Sequence, residues 1–313
     1  MQTTLAGSVR FGGIGLHGGR LASLVIRPAP AGHGIRFRRT DAAGGGAVIP
    51  ALWTHVAPYP LCTRISDGAG HDVSTIEHLM AALAGCGVTN ARIDIDGDEV
   101  PILDGSAAPF VDGLQGVGLR RLGAPLRAIR MRAPVEVRHG LAVARLDPAD
   151  RAAMAFSIDF EDAAIGRQSL RLDLGGDRFA EVLSDSRTFC RLGDVERMRA
   201  EGLALGGNFH NAVVVDGARV LSPGGLRHPD EAVRHKMLDA LGDLALAGAP
   251  ILGLYTGVRA GHALTAALVS HLHATPDAWE WVEVDAALAR RLPGGCVAAA
   301  AHRPAAARMR ATA

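Results

Sequence analysis

The chain has 313 residues, 48% of them hydrophobic, enough for a buried core and, at about 100–200 residues per domain, for two domains. Its 33 basic and 32 acidic residues leave a net charge of +1, and no segment is strongly basic, which argues against a nucleic-acid-binding surface. The four cysteines (Cys62, Cys86, Cys190, Cys296) lie far apart with no CxxC pair, so neither a thiolate zinc ribbon nor a disulfide framework is expected.

The N-terminus, MQTTLAGSVRFGGIG, has no apolar run behind a basic start, so no secretory signal is expected. Gly13-Ile14-Gly15-Leu16-His17-Gly18 fits GxGxxG, but a dinucleotide site needs a helix after that loop. Strand-like LASLVIR (21–27) follows instead, then a second short strand at 34–38. Residues 74–83 read as a helix. Ser74 can cap it, Glu77 stands three positions later as in a capping box, and Ile76, Leu79, Met80 and Leu83 recur at helical spacing. Gly85 and Gly87 end it, and a strand at 91–95 follows. Asp104-Gly105-Ser106 can cap a helix over 107–114.

A basic, Gly/Pro-containing stretch at 120–125 reads as a linker. Strands are expected at 129–137, 141–146 and 153–160, then helical segments. The expected organisation is α+β: a domain over 1–122, a second over 123–290, and a loose Ala/Arg/Pro-rich tail over 291–313. The longest nearly apolar stretch, 244–255, carries two glycines and a proline and is shorter than the roughly 20 residues a bilayer span needs. A cytoplasmic protein without a transmembrane segment is expected. Its oligomeric state is not set by the pattern, and a monomer is the default.

Residues 230–246, DEAVRHKMLDALGDLAL, read as a helix on which His235, Asp239 and Asp243 fall at i, i+4 and i+8. Stacked on one face, a histidine and a carboxylate can hold a divalent metal. Alone, HxxxD is commoner on the wet face of an amphipathic helix. His78 could supply a third ligand, with Glu77 beside it as a base. His262, in Gly261-His262-Ala263, could act as an acid if Asp243 holds it. The hydroxyl of Thr188 in Ser186-Arg187-Thr188-Phe189 could donate to an oxyanion. Of the 33 basic residues only Lys236 is lysine, in a chain that uses arginine wherever a solvated charge suffices. Two histidines and a carboxylate also suit non-haem iron, but an oxygenase would not need this acid and base. A structural zinc site would need a fourth protein ligand.

Taken in order, several blocks resemble one family: Gly13-Ile14-Gly15-Leu16-His17, RPAPAGHGIRFRRTD, Leu61-Cys62-Thr63, STIEHLMAALAG and EVPILDGSAAPFV, then SRTF, GLALGGNF, VRHKMLDALGDL and GHAL. The family is the UDP-3-O-acyl-N-acetylglucosamine deacetylases of lipid A biosynthesis. The resemblance runs through nearly the whole chain, to about Trp281.

It implies two similar α+β sandwich domains with a zinc site between them; the donor set itself keeps Fe2+ as an alternative occupant. The ligands would be His78, His235 and Asp239. Glu77 would be the general base and His262 the general acid, oriented by Asp243. Thr188 would hold the oxyanion, and Lys236 would contact substrate. Phe189, Leu61 and Cys62 match positions at the sugar or close to the metal. Residues 192–214 match an insert forming an apolar acyl-chain passage, in which Ala204, Gly207, Asn208 and Asn211 are the substrate-binding candidates. The implied partner is a small molecule, an acylated UDP-N-acetylglucosamine.

Overall fold

The computed structural model describes residues 1–42 and 46–295. Its helices are α1 (Glu77–Gly85), α2 (Ala108–Val117), α3 (Arg178–Val182), α4 (Leu192–Ala200), α5 (Glu231–Leu244), α6 (His262–Ala274) and α7 (Ala286–Ala289). They stand with two larger sheets and three small ones in an α+β fold.

The first large sheet runs Val9–Ile14, Leu21–Pro28, Ala91–Ile95, Ile35–Arg39, Ala47–Pro50. Alternation sets its inward face. In Leu21–Pro28 it is Ala22, Leu24 and Ile26 that are buried, with Leu24 opposite Ile95 and Ile26 opposite Ile93. Phe110 of α2 meets Phe11 of this sheet edge to face, ring centres 5.0 Å apart. The second large sheet is organised on Ile251–Val258, which runs parallel to Arg127–Met131 and Ala152–Asp159 and antiparallel to Ala142–Asp147. α5 packs on Ala152–Asp159 and Arg167–Asp173, and α6 on Val135–His139 and Ala142–Asp147.

The two halves of the chain meet where α1 lies against α5. A Cβ at Gly242 would come within 2.0 Å of the Glu77 carbonyl oxygen, so the two backbones approach as only glycine allows. α5 runs into a 3-10 turn, Ala245–Ala247, and Gly248 at φ 83° closes it.

Several sequence expectations need correction. The strand expected over 129–137 is two strands, Arg127–Met131 and Val135–His139, which lie at different places in the sheet. Pro134 falls between them, with no N–H to give to a ladder. The supposed linker at 120–125 begins in a strand, Leu119–Arg121, which pairs with Thr3–Leu5. The tail does not begin at 291: Leu292 is buried and Pro293 bridges to Gly176. Residues 296–313, which include Cys296, lie outside the described residues. The glycine-rich GxGxxG segment joins two antiparallel strands, Val9–Ile14 and Leu21–Pro28, where a dinucleotide site would need a following helix.

Candidate metal centre

The segments entering the site are held in unusual backbone conformations. Leu61 (φ 66°) precedes Cys62-Thr63, and Thr75 (φ 56°) precedes Ile76-Glu77. A β-branched residue in the left-handed region costs about 1–3 kcal/mol and persists only when its surroundings over-determine it. Thr75 is so held: it is buried, and its hydroxyl donates to Glu99 Oε1 at 2.9 Å. Glu99 also accepts from the His17 and Gly18 amides, both at 2.7 Å. This one carboxylate therefore ties the 15–19 loop to the entry of α1.

The expected capping box does not form. Ser74 Oγ donates to the Asp98 carbonyl and α1 has no side-chain cap. Glu77 turns inward instead, and its Oε2 accepts from the Thr63 amide at 3.0 Å. The face of α5 expected to be wet if His235, Asp239 and Asp243 were ordinary polar residues is buried, each being less than 5% exposed.

His78 on α1 and His235 and Asp239 on α5 offer ligand atoms that all lie within 4.8 Å of one another. Asp239 Oδ1 is 3.4 Å from His78 Nε2 and 3.3 Å from His235 Nε2. His235 Nδ1 donates to the Ser186 carbonyl at 3.0 Å, which leaves a bare lone pair on Nε2. Burial lowers His235 to about 4, past the opposing pull of Asp239, so this imidazole is neutral at pH 7. Burial would raise Asp239, but His235, Lys236, His78 and His262 hold it well below the usual carboxylate range. Asp239 Oδ1 is buried and makes no hydrogen bond. The bare Nε2 of His235 thus faces an unpaired carboxylate oxygen, an arrangement that fits a bound cation.

The other predicted residues take their places around this cluster. Lys236 Nζ donates to Asp239 Oδ2 at 3.1 Å. His262 stands at the first turn of α6, its Nδ1 3.0 Å from Asp243 Oδ2 and its Nε2 3.9 Å from Asp239 Oδ2. Burial would lower His262, but Asp243, Glu77 and Asp239 together raise it to about 9. Glu77 is pushed up by burial, with Asp239 and Asp243 adding to the rise and His262 and His78 opposing it. The flanks of Thr188 both touch His235, through the Ser186 carbonyl and through the Phe189 ring 6.2 Å away. The Thr188 backbone is pinned between Gly105 and Val213. Cys62 is buried beside Glu77, and burial pushes its thiol up, so it is no thiolate. Leu61 is 56% exposed.

Within 192–214, Leu192, Leu205 and Phe209 are exposed apolar groups. Ala204 adopts φ 54°, and a Cβ at Gly207 would meet the Ala204 carbonyl at 3.3 Å. The two asparagines brace this loop. Asn211 Nδ2 donates to the Gly206 carbonyl, Asn211 Oδ1 accepts from the Asn208 amide, and Asn208 Oδ1 accepts from the His210 amide. The loop docks on 15–19 through Leu205 to the His17 carbonyl and Gly206 to the Leu16 carbonyl.

Sequence reasoning missed four contributors. His17 is 4% exposed with both ring nitrogens unpaired, and burial lowers its pKa. Thr63 and Glu99 act through contacts far along the chain, which no local spacing reveals. Glu231, at the start of α5, forms a buried ion pair with Arg187, accepting from Arg187 Nε at 2.8 Å and the Arg187 amide at 3.0 Å. Removing one partner of a buried pair strands the other charge and costs about 3–5 kcal/mol. Glu231→Ala is therefore expected to lower the unfolding free energy by that amount, read as a lower urea midpoint at unchanged slope, and an unchanged midpoint would show that the pair does not stabilise the fold.

A family profile described as UDP-3-O-acyl N-acetylglycosamine deacetylase matches residues 2–274. Among curated proteins, the chain is 49% identical over 278 residues to a UDP-3-O-acyl-N-acetylglucosamine deacetylase of Phenylobacterium zucineum, covering 89% of this chain and 95% of that protein. It is 47% identical over 275 residues to one of an Anaeromyxobacter species, 88% and 89% covered. With that of Shewanella oneidensis it shares 45% over 302 residues, 95% and 98% covered. Over so much of both chains, at such identity, the chain belongs to the UDP-3-O-acyl N-acetylglycosamine deacetylase family.

Proposed function

We propose that this enzyme hydrolyses the 2-acetamido group of UDP-3-O-(3-hydroxyacyl)-N-acetylglucosamine to acetate and the free amine, with Zn2+ at His78, His235 and Asp239. The observation that carries the reading is one buried cluster of three cation donors beside a carboxyl pushed up and an imidazole raised to about 9. A base and an acid of that kind suit amide hydrolysis. A purely structural metal would need neither, and it would be closed by a fourth protein ligand.

The metal, when bound, would supply Lewis-acid polarisation of the amide carbonyl and a more acidic water. Glu77 takes the proton of the attacking water. Its Oε2 is held by the Thr63 amide, which leaves Oε1 the freer of the two oxygens to accept it. The Thr188 hydroxyl donates to the developing oxyanion. His262 delivers a proton from Nε2 to the departing amine, because Nδ1–H is committed to Asp243. Lys236 contacts substrate from beside Asp239, Phe189 borders the sugar, Leu61 contacts substrate, and Cys62 lies close to the metal. Residues 192–214, with Ala204, Gly207, Asn208 and Asn211, form the acyl passage. Ferrous iron would suit the same two nitrogens and one oxygen.

The same reading divides the chain at 122/123 into two units with the metal between them. It also makes the enzyme cytosolic. The described cysteines Cys62, Cys86 and Cys190 are free, which fits a reducing compartment. No described helix is long and apolar enough to cross a membrane.

The test is acetate release from the acylated UDP-sugar by purified enzyme; no release would overturn the reading. A pH dependence follows. His262 acts protonated, so kcat/KM is expected to fall as pH rises through its pKa. That value is about 9 without a cation, and a bound cation lowers it by repelling the imidazolium. His262→Gln should lose this basic limb, and an identical limb in the variant would assign it to another group.

A further inference from the structure

Thr63 is 4% exposed and lies between the left-handed Leu61 and the strand Arg64–Ser66. Its backbone engages the entry of α1 and its side chain the Asp243–His262 pair. Its amide donates to Glu77 Oε2 at 3.0 Å, and its carbonyl accepts from the Ile76 amide at 3.3 Å. Its hydroxyl donates to Asp243 Oδ1 at 2.5 Å and lies 3.3 Å from His262 Nδ1. These partners are on α1, α5 and α6, with Asp243 and His262 180 and 199 residues further along the chain.

A hydroxyl has one proton to give, and Asp243 Oδ1 is the nearer acceptor. With Oδ1 so pinned, the carboxylate cannot turn about its terminal bond, and Oδ2 stays aimed at His262 Nδ1, 3.0 Å away. Asp243 is 2% exposed, so without this donor one of its oxygens loses a hydrogen bond that water cannot easily replace. On the other side, the Thr63 amide holds Glu77 Oε2 and so fixes the plane of the base.

We propose that Thr63 is a positioning residue for the deacetylation: it spans the base Glu77 and the Asp243–His262 pair and fixes one against the other. The proposal rests on the roles of Glu77 and His262 given above. Its physical consequence is registry. Helix packing alone would leave base and acid to be set by three separate elements, whereas here one buried residue joins them. An offset of about 1 Å at reacting groups can cost on the order of 10²-fold in rate.

Thr63→Val keeps the amide, the carbonyl and the branched shape and removes only the hydroxyl. Its kcat is expected to fall by about 10–100-fold, with KM within about threefold and metal content unchanged. Thr63→Ser restores the hydroxyl and should recover most of the loss. A hydroxyl that acts on rate through Asp243 has nothing to act through once Asp243 is gone, so a double-mutant cycle with Asp243→Ala, read on kcat, tests that route. In that background Thr63→Val should slow the enzyme no further. If Thr63→Val does not fold, Thr63→Ala read through the same cycle serves. A Val variant within about twofold of wild-type kcat, or full additivity with Asp243→Ala, would overturn the proposal while leaving the deacetylase reading intact. Failure of the wild-type enzyme to release acetate would instead overturn that reading.

Discussion

Glu77→Gln is expected to lower turnover by about 10²–10⁴-fold while the protein keeps its metal and its stability. Glutamine has the shape of the glutamate and can still accept from the Thr63 amide, so the connection between α1 and the 61–63 segment survives. What it cannot do is receive a proton. Glu77 is not one of the three clustered donors, so metal content should match the wild type. Stability has a defined sign. The folded carboxyl is raised above its unfolded value, so its ionised form is disfavoured in the folded protein at pH 7. A neutral side chain removes that cost, and Tm should stay level or rise. A catalytic base that costs stability is the expected trade at a working site. Turnover near wild type in a metal-replete variant would take the base away from Glu77.

Gly242→Ala is expected to remove metal binding and turnover together. The added Cβ would meet the Glu77 carbonyl oxygen at 2.0 Å and its carbon at 2.8 Å, and backbone atoms cannot swing aside. α1 and α5 must then separate. His78 adjoins Glu77 on one helix, while Asp239 and Asp243 flank Gly242 on the other, so separation pulls the donor atoms apart. In an exposed helix the same change would gain about 0.5–1 kcal/mol. Here overpacking reverses the sign, costing typically 1–3 kcal/mol. Gly116 of α2 is the internal control, being exposed with nothing within 4 Å of an added Cβ. Gly116→Ala should be mildly stabilising with full activity. A Gly242→Ala enzyme that binds metal and turns over normally would mean that the helices do not set the donor spacing.

The positions of these groups along their helices were legible in the sequence, and their surroundings were not. Spacing alone put His235, Asp239 and Asp243 on one face of a helix. It could not say that this face is buried, because that depends on α1 arriving from a distant part of the chain. The strand Ala91–Ile95 was read with its observed bounds, as its alternation is local. The capping box failed for the converse reason: Thr75 at φ 56° interrupts the helix start, and Glu77 is drawn inward to Thr63. Thr63, Glu99, Glu231 and Gly242 act across the chain, through contacts that leave no periodic trace. The carboxylate–imidazole pairing of Asp243 with His262 could be posed from the residues and needed the fold to become a distance of 3.0 Å.

In the proposed mechanism, His78, His235 and Asp239 hold the cation on which hydrolysis depends. The most direct measurement is acetate release before and after stripping by a chelator, with metal quantified on the same samples of wild-type and His235→Ala enzyme. About one metal per wild-type chain is expected, with loss of turnover on stripping, recovery with added Zn2+, and little metal or turnover in His235→Ala. Undiminished acetate release from the stripped enzyme, or unchanged metal content in His235→Ala, would contradict it.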